Sequence, residues 1–140
     1  GTGSTASALA VSGNVAPGGS IGDLTVGDTT FGDGSVLEIE IDNLGNSDTL
    51  IDVGDLDLSS TLDTLAITGT ADNVTSYVIS TYTGSLTGHF NSVTGLPTGY
   101  SVQYNAGDIT LAVIPEPSTI VMGLMGVLGL GWFGWRRRRK

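Results

Sequence analysis

Ser35-Val36-Leu37-Glu38-Ile39-Glu40-Ile41-Asp42 is the stretch on which the fold turns. Leu37, Ile39 and Ile41 share one parity, and Glu38, Glu40 and Asp42 share the other. Successive side chains of a strand point to opposite faces, so this period of two puts an aliphatic row inward and an acidic row outward. It predicts a half-buried strand. Asn43-Leu44-Gly45-Asn46-Ser47-Asp48, directly after it, is a turn cluster.

The same alternation of short β segments and corners extends both ways. Upstream, Gly1 to Ser12 is small and polar apart from Ala8-Leu9-Ala10-Val11. Asn14 to Gly22 is turn-rich, and Leu24-Thr25-Val26-Gly27 is a further β segment. Downstream come Thr49 to Gly54, Leu56-Asp57-Leu58, Leu62 to Gly69, and Val74 to Thr83, the most β-prone run by residue type. Gly84 and Gly88 bracket Ser85-Leu86-Thr87, and Gly95-Leu96-Pro97-Thr98-Gly99 is a break. Tyr100 to Tyr104, a turn at Asn105 to Asp108, and Ile109 to Val113 predict a terminal hairpin.

No amphipathic helical period occurs before Ser118, so residues 1–113 are expected to form an all-β ectodomain. Strands recurring every ~10–15 residues with Gly or Asp at the corners fit the end coils of a right-handed β-helix or solenoid. A compact β-sandwich fits the spacing as well. Phe31 is the only aromatic residue before Tyr77, which favours the solenoid, because a sandwich core draws on aromatic side chains.

Charge is distributed with equal sharpness. The chain has 140 residues, 22 glycines, no cysteine and a formal net charge of −9. Every Lys and Arg lies between Arg136 and Lys140, so residues 1–135 carry all 14 acidic side chains and no basic one. Such an ectodomain repels nucleic acid, which is excluded as a partner. Without cysteine there is no disulfide framework, and the fold rests on burial and hydrogen bonding. The chain opens on glycine without a charged start and apolar run, so the native polypeptide is expected to begin further upstream.

The carboxyl end is a different material. After Ile114-Pro115-Glu116-Pro117-Ser118-Thr119 runs an uncharged apolar stretch from Ile120 to Trp135, and then Arg136, Arg137, Arg138, Arg139 and Lys140. An apolar run near the short end of what spans a bilayer must be helical there, because lipid offers its backbone no partners. A transmembrane helix over 120–135 is therefore expected, with Trp132 and Trp135 at the interface and residues 136–140 as a cytoplasmic stop-transfer tail. Gly123, Gly126, Gly129, Gly131 and Gly134 give it a small-residue surface without a Gly-x-x-x-Gly pair, so no dimer contact is specified. The two prolines around Glu116 keep residues 114–119 extended, as a linker.

Pro115-Glu116-Pro117-Ser118-Thr119, a short Gly-rich membrane helix and a terminal Arg cluster together resemble the PEP-CTERM sorting domain. The resemblance covers about the last 27 residues, with Ile114 in place of the commoner Val. The same tail is also catalogued as an ice-binding-protein carboxyl-terminal domain. The resemblance implies an exported Gram-negative surface or matrix protein, held transiently in the inner membrane with its ectodomain in the periplasm. Its partner would be exosortase, an integral membrane protease-transpeptidase, which would recognise Pro115, Glu116 and Pro117. Its destination would be the cell surface and the extracellular polysaccharide layer. Pro17 to Ile41 and Tyr77 to Pro97 further resemble the carboxyl-terminal coils and closing unit of autotransporter-type β-strand repeat proteins, with the Tyr-rich segment as cap.

Catalysis finds no constellation. His89 is the only histidine, and no Lys or Arg outside the tail is available to stabilise an oxyanion or phosphate. The ectodomain is expected not to be an enzyme. No cofactor is expected either. Calcium is the one ion its acidic corners would suit, at Asp28 and Asp33, at Asp42, Asn46 and Asp48, or at Asp52, Asp55 and Asp57. None matches an EF-hand or a calcium β-roll repeat, and solvated corner carboxylates that protect strand edges account for them. Thr81-Tyr82-Thr83 is a single Thr-x-Thr and gives no regular array for ice. Two rivals stand beside the sorting reading: a permanently anchored single-pass adhesin or scaffold, and a carbohydrate-binding or carbohydrate-active protein whose site lies upstream.

Overall fold

The computed structural model describes residues 2–5, 7–115, 122–128, 130 and 132. Its strands are β1 (Thr2–Ser4), β2 (Leu9–Val11), β3 (Asn14–Val15), β4 (Asp23–Val26), β5 (Thr29–Phe31), β6 (Val36–Ile41) and β7 (Thr49–Asp52). They continue as β8 (Leu56–Leu58), β9 (Thr64–Gly69), β10 (Tyr77–Tyr82), β11 (Leu86–Gly88), β12 (Ser92–Thr94), β13 (Tyr100–Tyr104) and β14 (Asp108–Val113).

These strands lie in three sheets, ordered β1-β4-β7-β10-β14-β13, β11-β8-β5-β2 and β12-β9-β6-β3. From β1 to β12 each strand pairs in parallel with the strand three places on. The chain thus visits the three sheets in rotation, and each visit, here a rung, lies in register on the one before. The ectodomain is all-β, and its parallel, rotating pairing differs from the antiparallel pattern of a sandwich.

The alternation in β6 sets the core. Leu37 pairs with Leu65 and Ile39 with Ile67 in the next rung, all four buried, while Glu38 and Glu40 face outward beside Ala66 and Thr68. Removing each such aliphatic side chain from water is worth ~1.5–3 kcal/mol. Val11, Val26, Ile41, Leu50, Leu56, Leu58, Ile79, Ile109 and Leu111 complete the aliphatic interior. Phe31 meets Phe90 edge to face at 5.6 Å between ring centroids.

Corners are built from acidic side chains. The Asp55 N–H donates to Asp28 Oδ1 at 3.0 Å, and the Ser85 N–H donates to Asp55 Oδ1 at 2.6 Å. One carboxylate per rung thus ties the turn between the first and second sheets to the turn above it. Between the second and third sheets, Asp63 Oδ1 accepts the Asn91 N–H at 2.8 Å. Between the third sheet and the next rung, Asp48 accepts the Gly22 and Glu40 N–H groups, each at 2.8 Å.

The hairpin predicted at 100–113 is present as β13 and β14, with β14 antiparallel to both β13 and β10. Two local expectations shift. The β-prone run at Val74 yields a strand only from Tyr77, because Asp72 accepts the Val74 and Thr75 N–H groups and the Thr75 hydroxyl, holding a turn in which Asn73 has φ 62°. The small, polar start of the chain supplies two edge strands, β1 and β2.

At the carboxyl end, residues 122–128, 130 and 132 are helical and exposed. Among the described residues no helix is long and apolar enough to cross a membrane. Of the expected span over 120–135, residues 122–128, 130 and 132 are helical, and the others lie outside the described residues.

Candidate functional site

The expected linker over 114–119 begins where the chain leaves the folded domain. β14 lies between β10 and β13, with Ile109 and Leu111 fully buried. Its register with β13 runs from Tyr104↔Ile109 to Tyr100↔Val113. One hydrogen bond lies beyond that ladder, from the Ile114 N–H to the Gly99 carbonyl at 2.7 Å. The following residue, Pro115, has no N–H to continue the ladder and is exposed. Among the described residues the β-ladder therefore ends where the Pro-Glu-Pro motif begins. Glu116 and Pro117 lie outside the described residues, as does the whole basic tail of Arg136, Arg137, Arg138, Arg139 and Lys140.

The capping side chains behind this exit form a polar network. The Tyr77 hydroxyl donates to the Asp42 carbonyl at 2.9 Å and accepts the Asp72 N–H at 3.0 Å. The Tyr100 hydroxyl reaches the Thr75 carbonyl at 2.9 Å and Asp72 Oδ1 at 3.2 Å. Burial, reinforced by the neighbouring Asp72 carboxylate, pushes the Tyr100 phenol up to about 12. The donors from Thr75 and Val74 hold Asp72 well below the usual carboxylate range. Tyr82 donates to the Asn105 carbonyl, and Tyr104 accepts the Phe90 N–H at 3.2 Å, which fastens the hairpin to the last rung.

The acidic corners considered for calcium are occupied with backbone and side-chain donors. Asp42 accepts from the Leu44 and Asn46 N–H groups and the Asn46 side chain, whose amide lowers its pKa most. Asp33 accepts the Ser60 hydroxyl, Asp57 the Ser59 N–H, and Asp52 the Gly54 N–H. Asp28, Asp48 and Asp55 serve as the corner ties. Among the described residues no group of three or more His, Cys, Asp or Glu side chains is placed to hold a metal ion. Asp52 and Asp63 are buried, each with an Oδ2 lacking a partner, and desolvation raises both carboxyl pKa values.

Glu38, Glu40, Asp48 and Thr68 line a hollow of about 140 Å³ on the third sheet's outer face. The Asn14 side-chain amide donates to Glu38, one of its lining carboxylates, at 2.6 Å. His89 stacks edge to face on Tyr104 at 4.5 Å. The corner ties were not foreseen from the sequence, although a signal exists: Gly27-Asp28, Gly54-Asp55 and Gly84-Ser85 repeat a glycine before the tying position once per rung. A Cβ on Gly54 would fall against Asp28 Oδ1, and one on Gly84 against Asp55 Oδ1, so these glycines make room for the ties.

Comparison with known proteins assigns the exit segment. No curated protein and no solved structure matches the chain. Residues 113–139 match the family described as the PEP-CTERM protein-sorting motif, so the segment that begins where the β-domain ends carries a sorting signal.

Proposed function

We propose that this chain is an exported β-domain delivered by its own carboxyl-terminal signal to an exosortase-type membrane protease-transpeptidase. The observation that carries this reading is the match of residues 113–139 to the sorting motif, starting at the last residue of β14. In this reading Pro115, Glu116 and Pro117 are the recognised residues, 114–119 the linker, and 120–135 the membrane helix. Residues 136–140 are the basic stop-transfer tail. The anchor holds the protein transiently in the inner membrane with residues 1–113 in the periplasm. Processing then passes it to the cell surface and the extracellular polysaccharide. The reactive chemistry belongs to the membrane enzyme; the β-domain is cargo and has no catalytic or metal role of its own.

The ectodomain fits a right-handed β-solenoid end-piece closed by a hairpin. Support comes from the parallel pairing of each strand from β1 to β9 with the third one on, and from the right-handedness of about 98% of parallel crossovers within one sheet. Its likeness to autotransporter-type coils rests on the residue patterns of Pro17 to Ile41 and Tyr77 to Pro97.

Expression of the full chain in a host that has the sorting enzyme tests the proposal, with the protein's mass and location followed. Glu116→Ala, or deletion of residues 136–140, should leave the product unprocessed and in the inner membrane. Normal processing and delivery of both variants would overturn the reading. An intact carboxyl terminus on surface-located wild-type protein would instead establish the permanently anchored form.

A further inference from the structure

We propose that the corner beside the exit of the chain is a lipid-facing surface, on which Leu44, Val74 and Ile114 seat the β-domain against zwitterionic headgroups of the membrane that holds the anchor. This rests on the sorting reading, in which the apolar run from Ile120 lies in the inner membrane, and adds how the β-domain is held there.

The corner lies between the third and first sheets, where the chain passes from β6 to β7 and, one rung on, from β9 to β10. Each passage carries an aliphatic side chain at its tip. Leu44 and Val74 are each 81% exposed, more than any other large apolar side chain of the β-domain among the described residues. Neither tip is loose. Asp42 accepts the Leu44 N–H and Asp72 the Val74 N–H, each at 2.9 Å, so a carboxylate two residues back fixes both turns. The turns also touch, since a Cβ on Gly45 would lie 3.4 Å from Thr75 Cγ2. Tyr100, whose hydroxyl reaches the Thr75 carbonyl at 2.9 Å, adjoins Gly99, which accepts the Ile114 N–H. Ile114 is itself 50% exposed. Three aliphatic side chains are thus held out on one connected corner, at the point where the chain leaves it. Apolar groups scattered singly are ordinary, whereas a group of them rimmed by polar residues marks a contact surface.

Tether length names the occupant. From Ile114 to Ile120 there are six residue steps, at most about 20 Å of chain. A bilayer that holds residue 120 onward is therefore always close to this corner. A tether that short gives an effective concentration on the order of millimolar, so a small apolar area is enough to dock. A diffusing partner has no such advantage. Charge then selects the headgroup. The Asn46 amide and the Thr75 hydroxyl hold Asp42 and Asp72 below the usual carboxylate range, so both tips stand beside ionised groups. Residues 1–113 contain no Lys or Arg to offset them. Anionic lipid is repelled and zwitterionic lipid is not. The same acidity opposes a second copy at this corner.

The test reconstitutes the full chain in phosphatidylcholine vesicles with a spin label on Asn43→Cys, beside Leu44, in a sequence that has no other cysteine. Access of a water-soluble nickel complex to the label is compared with the same label on Thr61→Cys, between β8 and β9. Residue 43 should be shielded and residue 61 open. Leu44→Ser combined with Val74→Ser should raise nickel access at residue 43 about threefold or more, and Leu62→Ser, exposed at the other corner, should leave it unchanged. Phosphatidylglycerol vesicles should shield residue 43 less. If the double variant loses amide protection in β6, Leu44→Ser alone is read in its place. Vesicles that float with the chain while residues 43 and 61 are equally open, or while the variants change nothing, would overturn this inference and spare the anchored reading. Equal shielding on phosphatidylglycerol would overturn the headgroup assignment. Shielding that appears only when the sorting enzyme is added would also overturn it, with the enzyme's surface as occupant. A chain that does not float with vesicles at all would overturn the anchored reading itself, and this inference with it.

Discussion

At the scale of single residues, the corner ties concentrate the consequences. Asp28 reaches the next turn only because Gly54 leaves its space empty, so Gly54→Ala must displace the carboxylate or the backbone. We expect it to cost ~1–3 kcal/mol in denaturant unfolding. Gly19→Ala, with open space around its Cβ, should stay within ~0.5 kcal/mol. Asp52 and Asp63 set a pH dependence of definite sign. Their folded pKa values are raised, so the folded state binds more protons than the unfolded one. Their contribution is fully present below the unfolded carboxylate value of 3.8 and is lost as pH rises through the higher folded values. Asp42, Asp72 and Asp108, with lowered values, act in the opposite sense and lose theirs only as pH falls below 3.8. Asp52→Asn should therefore shrink the fall in Tm between pH 4 and neutrality relative to wild type, as thermal melts across that range would show. An unchanged difference would mean that Asp52 does not ionise in this window.

Among the elements, β14 carries the most, because among the described residues it is the one strand joining the parallel stack to the closing hairpin. Ile109→Ala and Leu111→Ala should each destabilise by ~2–5 kcal/mol, since both side chains are fully buried. The mixed-exposure strands β6 and β14 were readable in the sequence because period-two burial was written into their own residues. β1 was not: Thr2-Gly3-Ser4 has no apolar pattern and becomes a strand only through pairing with β4, 21 residues further on. Val74 misled for the converse reason, a strong β-former overruled by the carboxylate two residues before it. The register between rungs is set by contacts 20 to 30 residues apart, from Leu9↔Thr29 to Leu86↔Leu56, and no local window of sequence contains it. For the site, the Pro-Glu-Pro motif was legible as residues in order. Its position directly against the last ladder bond depended on where β14 stops, which residue type alone leaves open by a few positions.

For the molecule as a whole, stacked rungs tied by carboxylates to backbone N–H groups need no bound ion in our reading. Millimolar calcium or a chelator should then leave Tm unchanged, and a calcium-induced rise of several degrees would reveal a site. The acidic surface without basic partners predicts that added salt raises stability by screening self-repulsion, an effect readable in melts from ~0.01 to ~0.15 M ionic strength.

The hydrogen bond from Ile114 to Gly99 also governs how the molecule bears being cut. Among the described residues it is the last hydrogen bond between the β-domain and the carboxyl-terminal segment, so a cut past Pro115 leaves every described hydrogen bond of the domain in place. A chain terminated after Pro115 should melt at the same temperature as its parent. On the proposed sorting reading, detaching the address label would then leave its cargo undisturbed.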